Sequence, residues 1–258
     1  MTGIHTRHWA GNRDRPALAI HCMMGSAAYW GPIASRLDGR VDLTGFDMPS
    51  HGRSGPWRDR NEGTDFHTAI TRIAASFIDR PMDLIGHSLG ATIALRIAVA
   101  APDAVRSLTL IEPVLFAAAP DAEQAARNRT MADHLARNRP EDAARGFIDM
   151  WGAQPFDTLP AAAQWAMIDQ IALVVCTDDT LTRDQAGILR GGGLESIDAP
   201  VLMIAGERSP GVIHRIADAL AARLADVGRA IVPDAGHMLP LTHPDQTAGL
   251  IALNLDRA

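Results

Sequence analysis

The sequence predicts an α/β protein: a mostly parallel sheet with helices on both faces, interrupted once by a helical insertion. Three observations predict it. Short apolar runs alternate with stretches of helical periodicity, the mark of strands joined by crossover helices. Most of those runs are apolar at both alternating positions, as strands covered on both faces must be. Residues 114–193 then break the alternation with helical patterns and no convincing strand. The expected organisation is a core of residues 1–113 and 194–258 with a helical cap over 114–193.

The elements follow in chain order. Ile4 to Trp9 is expected to pair antiparallel with the strand Ala17 to Cys22, through the turn from Gly11 to Pro16. Val41 to Phe46, Met82 to Gly86, Val105 to Ile111, Pro200 to Ala205 and Arg229 to Val232 read as the remaining strands. Thr64 can cap a helix whose apolar positions, Phe66, Ile70, Ile73, Ala74 and Phe77, recur near 3.6 residues. Leu89 to Ala100 is apolar almost all round, with Arg96 its only charge, and should be the most buried helix. In the insertion, Asp121 to Asn138, Glu141 to Trp151 after Pro140, and Leu159 to Val174 read as helices, and Gly191 to Gly193 as the return to the sheet. Pro244 opens a last helix that runs to about Leu255.

Composition excludes several chemistries. The 258 residues include 24 basic side chains, and all are Arg. Without Lys there is no Schiff-base lysine, no phosphate-binding P-loop lysine and no kinase strand lysine. Of the 30 acidic residues only six are Glu, so the place of each Glu carries information. A net charge of −6 argues against nucleic acid as a partner. There is no apolar signal core and no run of membrane length, so a cytoplasmic protein without a membrane partner is expected. The two cysteines, Cys22 and Cys176, suggest neither a disulfide framework nor zinc, and none of the ten His has metal-ligand spacing. No cofactor or metal is therefore expected. The expected partner is a small-molecule substrate, for a monomer or homodimer.

The strongest motif is Gly86-His87-Ser88-Leu89-Gly90. An apolar strand precedes it and a buried helix follows, the strand–turn–helix setting that a G-x-S-x-G nucleophile requires. The helix N-terminus adds partial positive charge near developing negative charge. A Ser hydroxyl needs an adjacent base, and His titrates near neutrality. His237 follows the last strand at the same sheet edge. His87 reads as a packed or orienting residue, and His21 as a brace of the loop after the first core strand. His5, His8, His67, His134 and His214 read as surface or boundary residues.

These motifs resemble the α/β-hydrolase superfamily along essentially the whole chain. His21-Cys22-Met23-Met24-Gly25-Ser26 resembles its oxyanion segment, with Cys22 where Gly is usual. Asp47-Met48-Pro49-Ser50-His51-Gly52-Arg53-Ser54 resembles its Asp-x-Pro-Gly-His-Gly-x-Ser loop. Val201 to Gly206 resembles its penultimate strand, and Ala235-Gly236-His237 its histidine loop. The resemblance implies Ser88 as nucleophile, His237 as base, and backbone N–H groups of Met23 and Leu89 as the oxyanion hole. It also implies an acid shortly after Gly206, but Ser209 stands there. Glu112, directly after a core strand, is the preferred acid. Glu207 is the alternative, and a dyad or water-bridged arrangement is a third possibility.

Five of the twelve aromatics, Phe116, Phe147, Trp151, Phe156 and Trp165, lie in the insertion. Aromatics at helical spacing commonly make core, but a small cap needs few anchors. Phe116, Phe147, Trp151 and Trp165, with Tyr29 and Trp30, are the expected pocket walls. Arg53, Arg58 and Arg208 are the motif-linked groups that could meet an anionic substrate. The resemblance implies a serine hydrolase of a small or medium ester, lactone or thioester. The same three residues would also suit a carbon–carbon bond hydrolase or a cofactor-free lyase, and a hydrolase-fold receptor with idle residues is the non-enzymatic reading. A haloalkane dehalogenase would carry Asp at the place of Ser88.

Overall fold

The computed structural model describes residues 3–57 and 63–258. The elements in order are β1 (Thr6–Trp9), β2 (Pro16–Ile20), α1 (Gly31–Arg36), β3 (Asp42–Phe46), α2 (Phe66–Ala75), β4 (Met82–His87), α3 (Leu89–Ala100) and β5 (Val105–Ile111). Three helices follow: α4 (Ala122–Ala136), α5 (Pro140–Trp151) and α6 (Ala161–Arg183). The chain then forms β6 (Val201–Gly206), α7 (Gly211–Ala221), β7 (Val227–Val232), α8 (Leu239–Thr242) and α9 (Pro244–Leu255).

The seven strands make one sheet in the order β1-β3-β2-β4-β5-β6-β7. All neighbours are parallel except β1 and β3. The expected pairing of the first strand with β2 is therefore incorrect. β2 already has parallel neighbours on both edges, β3 and β4, which leaves no edge for a third strand. β1 instead lies along β3, with Thr6 opposite Phe46 and Trp9 opposite Leu43.

Other differences are local. Asp65, not Thr64, caps α2: its Oδ1 accepts from Thr68 N at 2.9 Å. The third insertion helix runs on past Val174 to Arg183. Its Thr-rich end has weak helix propensity, but Thr177, Thr180 and Leu181 are buried, and packing decides. α7 lies outside the helices predicted above, although Val212, Ile213, Ile216, Ala217 and Leu220 recur at helical spacing and are buried.

Two apolar layers cover the sheet. One joins the sheet to α2, α3 and α7 through residues such as Ile70, Leu95 and Ile216. The other joins it to α1 and α9 through Ile33, Ile251 and Leu255. α3 is buried on nearly every side, as its composition predicts. At the end of β4 remote from Ser88, the fully buried Asp83 accepts from Arg15 Nε at 2.8 Å and Ser107 Oγ at 2.6 Å. Removing one partner of such a buried pair costs about 3–5 kcal/mol. No helix among the described residues is long and apolar enough to cross a membrane.

Candidate active site

The site forms where β4, β5 and the loop after β7 end together. Ser88 has φ 56° and ψ −117°, a backbone state that L residues rarely adopt. Strain of this kind costs about 1–3 kcal/mol and persists only where the surroundings enforce it. The close approach of backbone at this turn leaves room only for glycine on either side. A Cβ on Gly86 would stand 2.3 Å from Gly90 O, and one on Gly90 would stand 2.2 Å from Ile20 O. Ser88 N donates to Ile111 O at 2.8 Å, which ties the turn to β5.

The turn aims Ser88 Oγ at His237 Nε2, 3.0 Å away. His237 Nδ1 lies 2.8 Å from Glu112 Oε2. The carboxylate can only accept, so Nδ1 carries the proton and Nε2 faces the serine hydroxyl as an acceptor. All three side chains are buried, and Glu112 is fully so. Glu112 itself has φ 53° at the point where the chain leaves β5. Its Oε1 accepts from Gly206 N and from Ser209 Oγ, each at 2.7 Å. Both carboxylate oxygens thus meet donors, which offsets the cost of burying the group.

Glu207 stands apart from this row. It is exposed, and its Oε2 accepts from Asp234 N at 3.0 Å. Asp234, at φ 60°, shapes the turn before His237 and pairs with Arg208 on the surface.

Two further rows of bonds hold the site's backbone. Cys22 N donates to Tyr29 Oη at 3.2 Å, and Tyr29 Oη lies 3.1 Å from His87 Nδ1. His87 Nε2 lies 2.9 Å from His237 O. A carbonyl only accepts, so Nε2 carries the proton and Tyr29 donates to Nδ1. His87 therefore orients His237 through its main chain. Burial, then the neighbouring His237, hold His87 well below the usual histidine range. His21 Nδ1 donates to Cys22 O at 2.7 Å while its Nε2 accepts from Met48 N at 2.9 Å. His51 likewise spans Pro49 O and Met24 N. These imidazoles pin the segment that carries Met23. Burial pushes His21 down to about 3 and the Cys22 thiol up to about 12. Among the described residues, no acceptor faces the backbone N–H of Met23 or of Leu89.

Two chambers open on Ser88, Met23 and His237. The first, about 460 Å³, lies among α4, α5 and α6. The second, about 780 Å³, lies between the Cys22–Tyr29 segment and the facing parts of α5 and α6. Phe147 and Trp151 border both. The Trp151 ring meets His237 edge to face at 4.7 Å. Phe116 borders the first chamber and Tyr29 the second.

Two expected wall residues are elsewhere. Trp30 is wholly buried in the apolar layer under α1 and α9. Trp165 is 66% exposed on α6 and borders neither chamber. Side-chain type marked both as apolar anchors, but not which way each one faces. Of the anion-binding candidates, Arg53 is exposed, Arg208 is paired with Asp234, and Arg58 lies outside the described residues. His67 is buried rather than peripheral, its Nε2 on Thr92 Oγ1 at 3.1 Å, and burial with nearby Arg96 pushes it down to about 4.

The acidic and amide residues of the first chamber, Glu123, Gln124, Asn128, Asp142 and Asp178, were not found from sequence. Polar residues on α4 and α6 read as solvated faces until the helices are packed. Among the described residues that border the two chambers, Arg127 is the one arginine, and it is paired with Glu123. No group of three or more His, Cys, Asp or Glu among the described residues is placed to hold a metal ion.

The model of the alpha/beta hydrolase family matches residues 17–250. The chain is 28% identical over 249 residues to a pimeloyl-[acyl-carrier protein] methyl ester esterase of Methylococcus capsulatus, covering 93% of this chain and 94% of that protein. It is 26% identical to the lipase LipV of Mycobacterium tuberculosis over 98% of this chain and 97% of that one. Its fold is similar to that of the haloalkane dehalogenase DatA from Agrobacterium tumefaciens, with a TM-score of 0.77, 19% identity, and coverage of 99% and 93%.

Proposed function

The chain belongs to the alpha/beta hydrolase family, and we propose that it is a serine hydrolase cleaving an uncharged carboxylic ester, lactone or thioester. One observation carries this reading: the row Ser88 Oγ, His237 Nε2, His237 Nδ1, Glu112 Oε2, with spacings of 3.0 and 2.8 Å. Ser88 attacks the carbonyl carbon as His237 takes its proton. The C=O pair moves to oxygen, which the N–H groups of Met23 and Leu89 receive. Collapse expels the alcohol or thiol, which takes the proton from His237 and leaves an acyl group on Ser88. Water, deprotonated by His237, repeats the sequence and releases the acid. Glu112 holds the productive tautomer and stabilises the imidazolium.

The helical segment 114–193 acts in this reading as a lid that walls the first chamber. The similarity to an esterase and a lipase over most of the chain supports ester chemistry. The chamber linings support neutral substrates. Glu123, Asp142, Asp169 and Asp178 border them, and the arginine there is already paired. Glu123 and Asp142 are matched by Arg127 and Arg139, while Asp169 and Asp178 form no ion pair among the described residues, so a carboxylate beside them meets like charge.

Labelling with an aryl phosphonate tests the reading. A single adduct on Ser88 at neutral pH, together with turnover of simple aryl esters, is expected. Absence of that adduct in folded protein would overturn it. Activity on vinylogous diketones without ester activity would move the same residues to carbon–carbon bond cleavage.

A further inference from the structure

We infer that the chamber among α4, α5 and α6 recognises a substrate arm that ends in an uncharged hydrogen-bond donor, a hydroxyl or an amide N–H, rather than in a methyl or a carboxylate. This rests on the hydrolase reading above and names the substrate class for the same site.

The argument starts at Asp178, whose carboxylate can only accept. Asn128 must therefore turn its amide nitrogen to it, and Nδ2 donates to Asp178 Oδ1. That leaves Asn128 Oδ1 facing Gln124, which must in turn present nitrogen: Gln124 Nε2 donates to Asn128 Oδ1 at 2.7 Å. The orientation of two amides is fixed by one charge. What remains at the end of the row is Gln124 Oε1, a buried carbonyl oxygen with no partner. Gln124 is 4% exposed and borders the chamber that reaches Ser88. His134, on the same face of α4, borders that chamber too, and its Nδ1 is a second buried polar atom without a partner.

Native interiors leave few such atoms unmatched, and each asks for a reason. A ligand donor supplies one here. Besides the amide row, Val114, Phe116, Phe147, Met150 and Leu181 give the same chamber an apolar lining. An arm that suits it has an apolar stem and a donor at its tip. A carboxylate tip would face Gln124 Oε1 acceptor to acceptor, within reach of the Asp178 charge.

The test uses two matched series of aryl esters of increasing chain length, one ending in methyl and one in hydroxyl. Each series is built once on the acyl side and once on the alcohol side. Calorimetry on the Ser88→Ala protein reads binding without turnover, and kcat/KM on the native chain reads discrimination. At the length that fits, the hydroxyl ester is expected to bind about tenfold more tightly and to be favoured about tenfold or more in kcat/KM. Gln124→Leu removes the acceptor, and Asp178→Asn removes the charge that orients it. In both, the hydroxyl-to-methyl ratio should fall to about one. No preference at any length overturns the inference, as does a preference that survives in both variants at unchanged melting temperature. Loss of all ester turnover while the binding preference persists would instead count against the hydrolase reading alone.

Discussion

Ser209 donates its hydroxyl to Glu112 Oε1 at 2.7 Å, across from the end of β6 to the end of β5. The residue standing where the resembled pattern has its acid thus serves the carboxylate on the neighbouring strand. The other oxygen of Glu112 holds His237 at 2.8 Å.

The two Glu candidates separate by activity. Glu112→Gln should lower kcat by about 10³–10⁴, because an amide nitrogen can favour the wrong imidazole tautomer. Glu207→Gln should stay within about twofold, since its carboxylate braces only the Asp234 turn. Steady-state kinetics on an aryl ester with both proteins folded decides; equal or reversed losses would overturn the assignment of Glu112.

A carboxylate placed back at position 209 should work in part. In the Glu112→Gln background, Ser209→Asp is expected to recover about tenfold of the lost kcat. Ser209→Asp alone should be destabilised, because two buried carboxylates at hydrogen-bond distance cannot both ionise freely. Rates and urea midpoints of the three variants give the comparison.

Tyr29→Phe should lower kcat about tenfold and leave KM near its original value. It removes the hydroxyl that accepts from Cys22 N and pairs with His87 Nδ1, and so loosens both the Met23 segment and the His237 carbonyl. A change confined to KM would place Tyr29 as a chamber wall only.

Stability should fall steeply below pH 6.5. His21 and His67 are depressed to about 3 and about 4 in the folded chain, and His51 and His87 are also lowered. The unfolded chain takes up these protons near pH 6.5, while the folded chain refuses them until far lower. His21 and His67 each then contribute a slope of one proton between pH 6.5 and those values, and His51 and His87 act in the same direction. Urea midpoints at pH 7.5 and 5.0 measure the slope, and His67→Gln should flatten it by one proton.

Much of the site was legible because its chemistry is local. The elbow needs small residues on both sides of Ser88, and His237 needs the end of the last strand. The meeting of Glu112 with His237 was legible from its place after β5 and from the Ser at 209. What sequence missed depends on packing across helices. Gln124, Asn128 and Asp178 look like solvated residues one by one, and only the meeting of α4 with α6 makes them a row. Trp30 and Trp165 show the same blindness in reverse: their apolarity was plain and their facing was not. The β1 partner was missed because a short connection suggests a hairpin, while the sheet had already used both edges of β2.

The long helical segment leaves the sheet just after Glu112 and returns at β6, and these two ends are neighbours. Glu112 N donates to Ile204 O at 2.9 Å, and Leu108 N to Pro200 O at 3.0 Å. The splice points are thus clamped side by side by main-chain bonds that involve none of the intervening residues. The spacing of Ser88 from Glu112 is thus set by strand pairing in the sheet and not by the helices between the two ends, so the segment above can shift without moving the row of bonds beneath it.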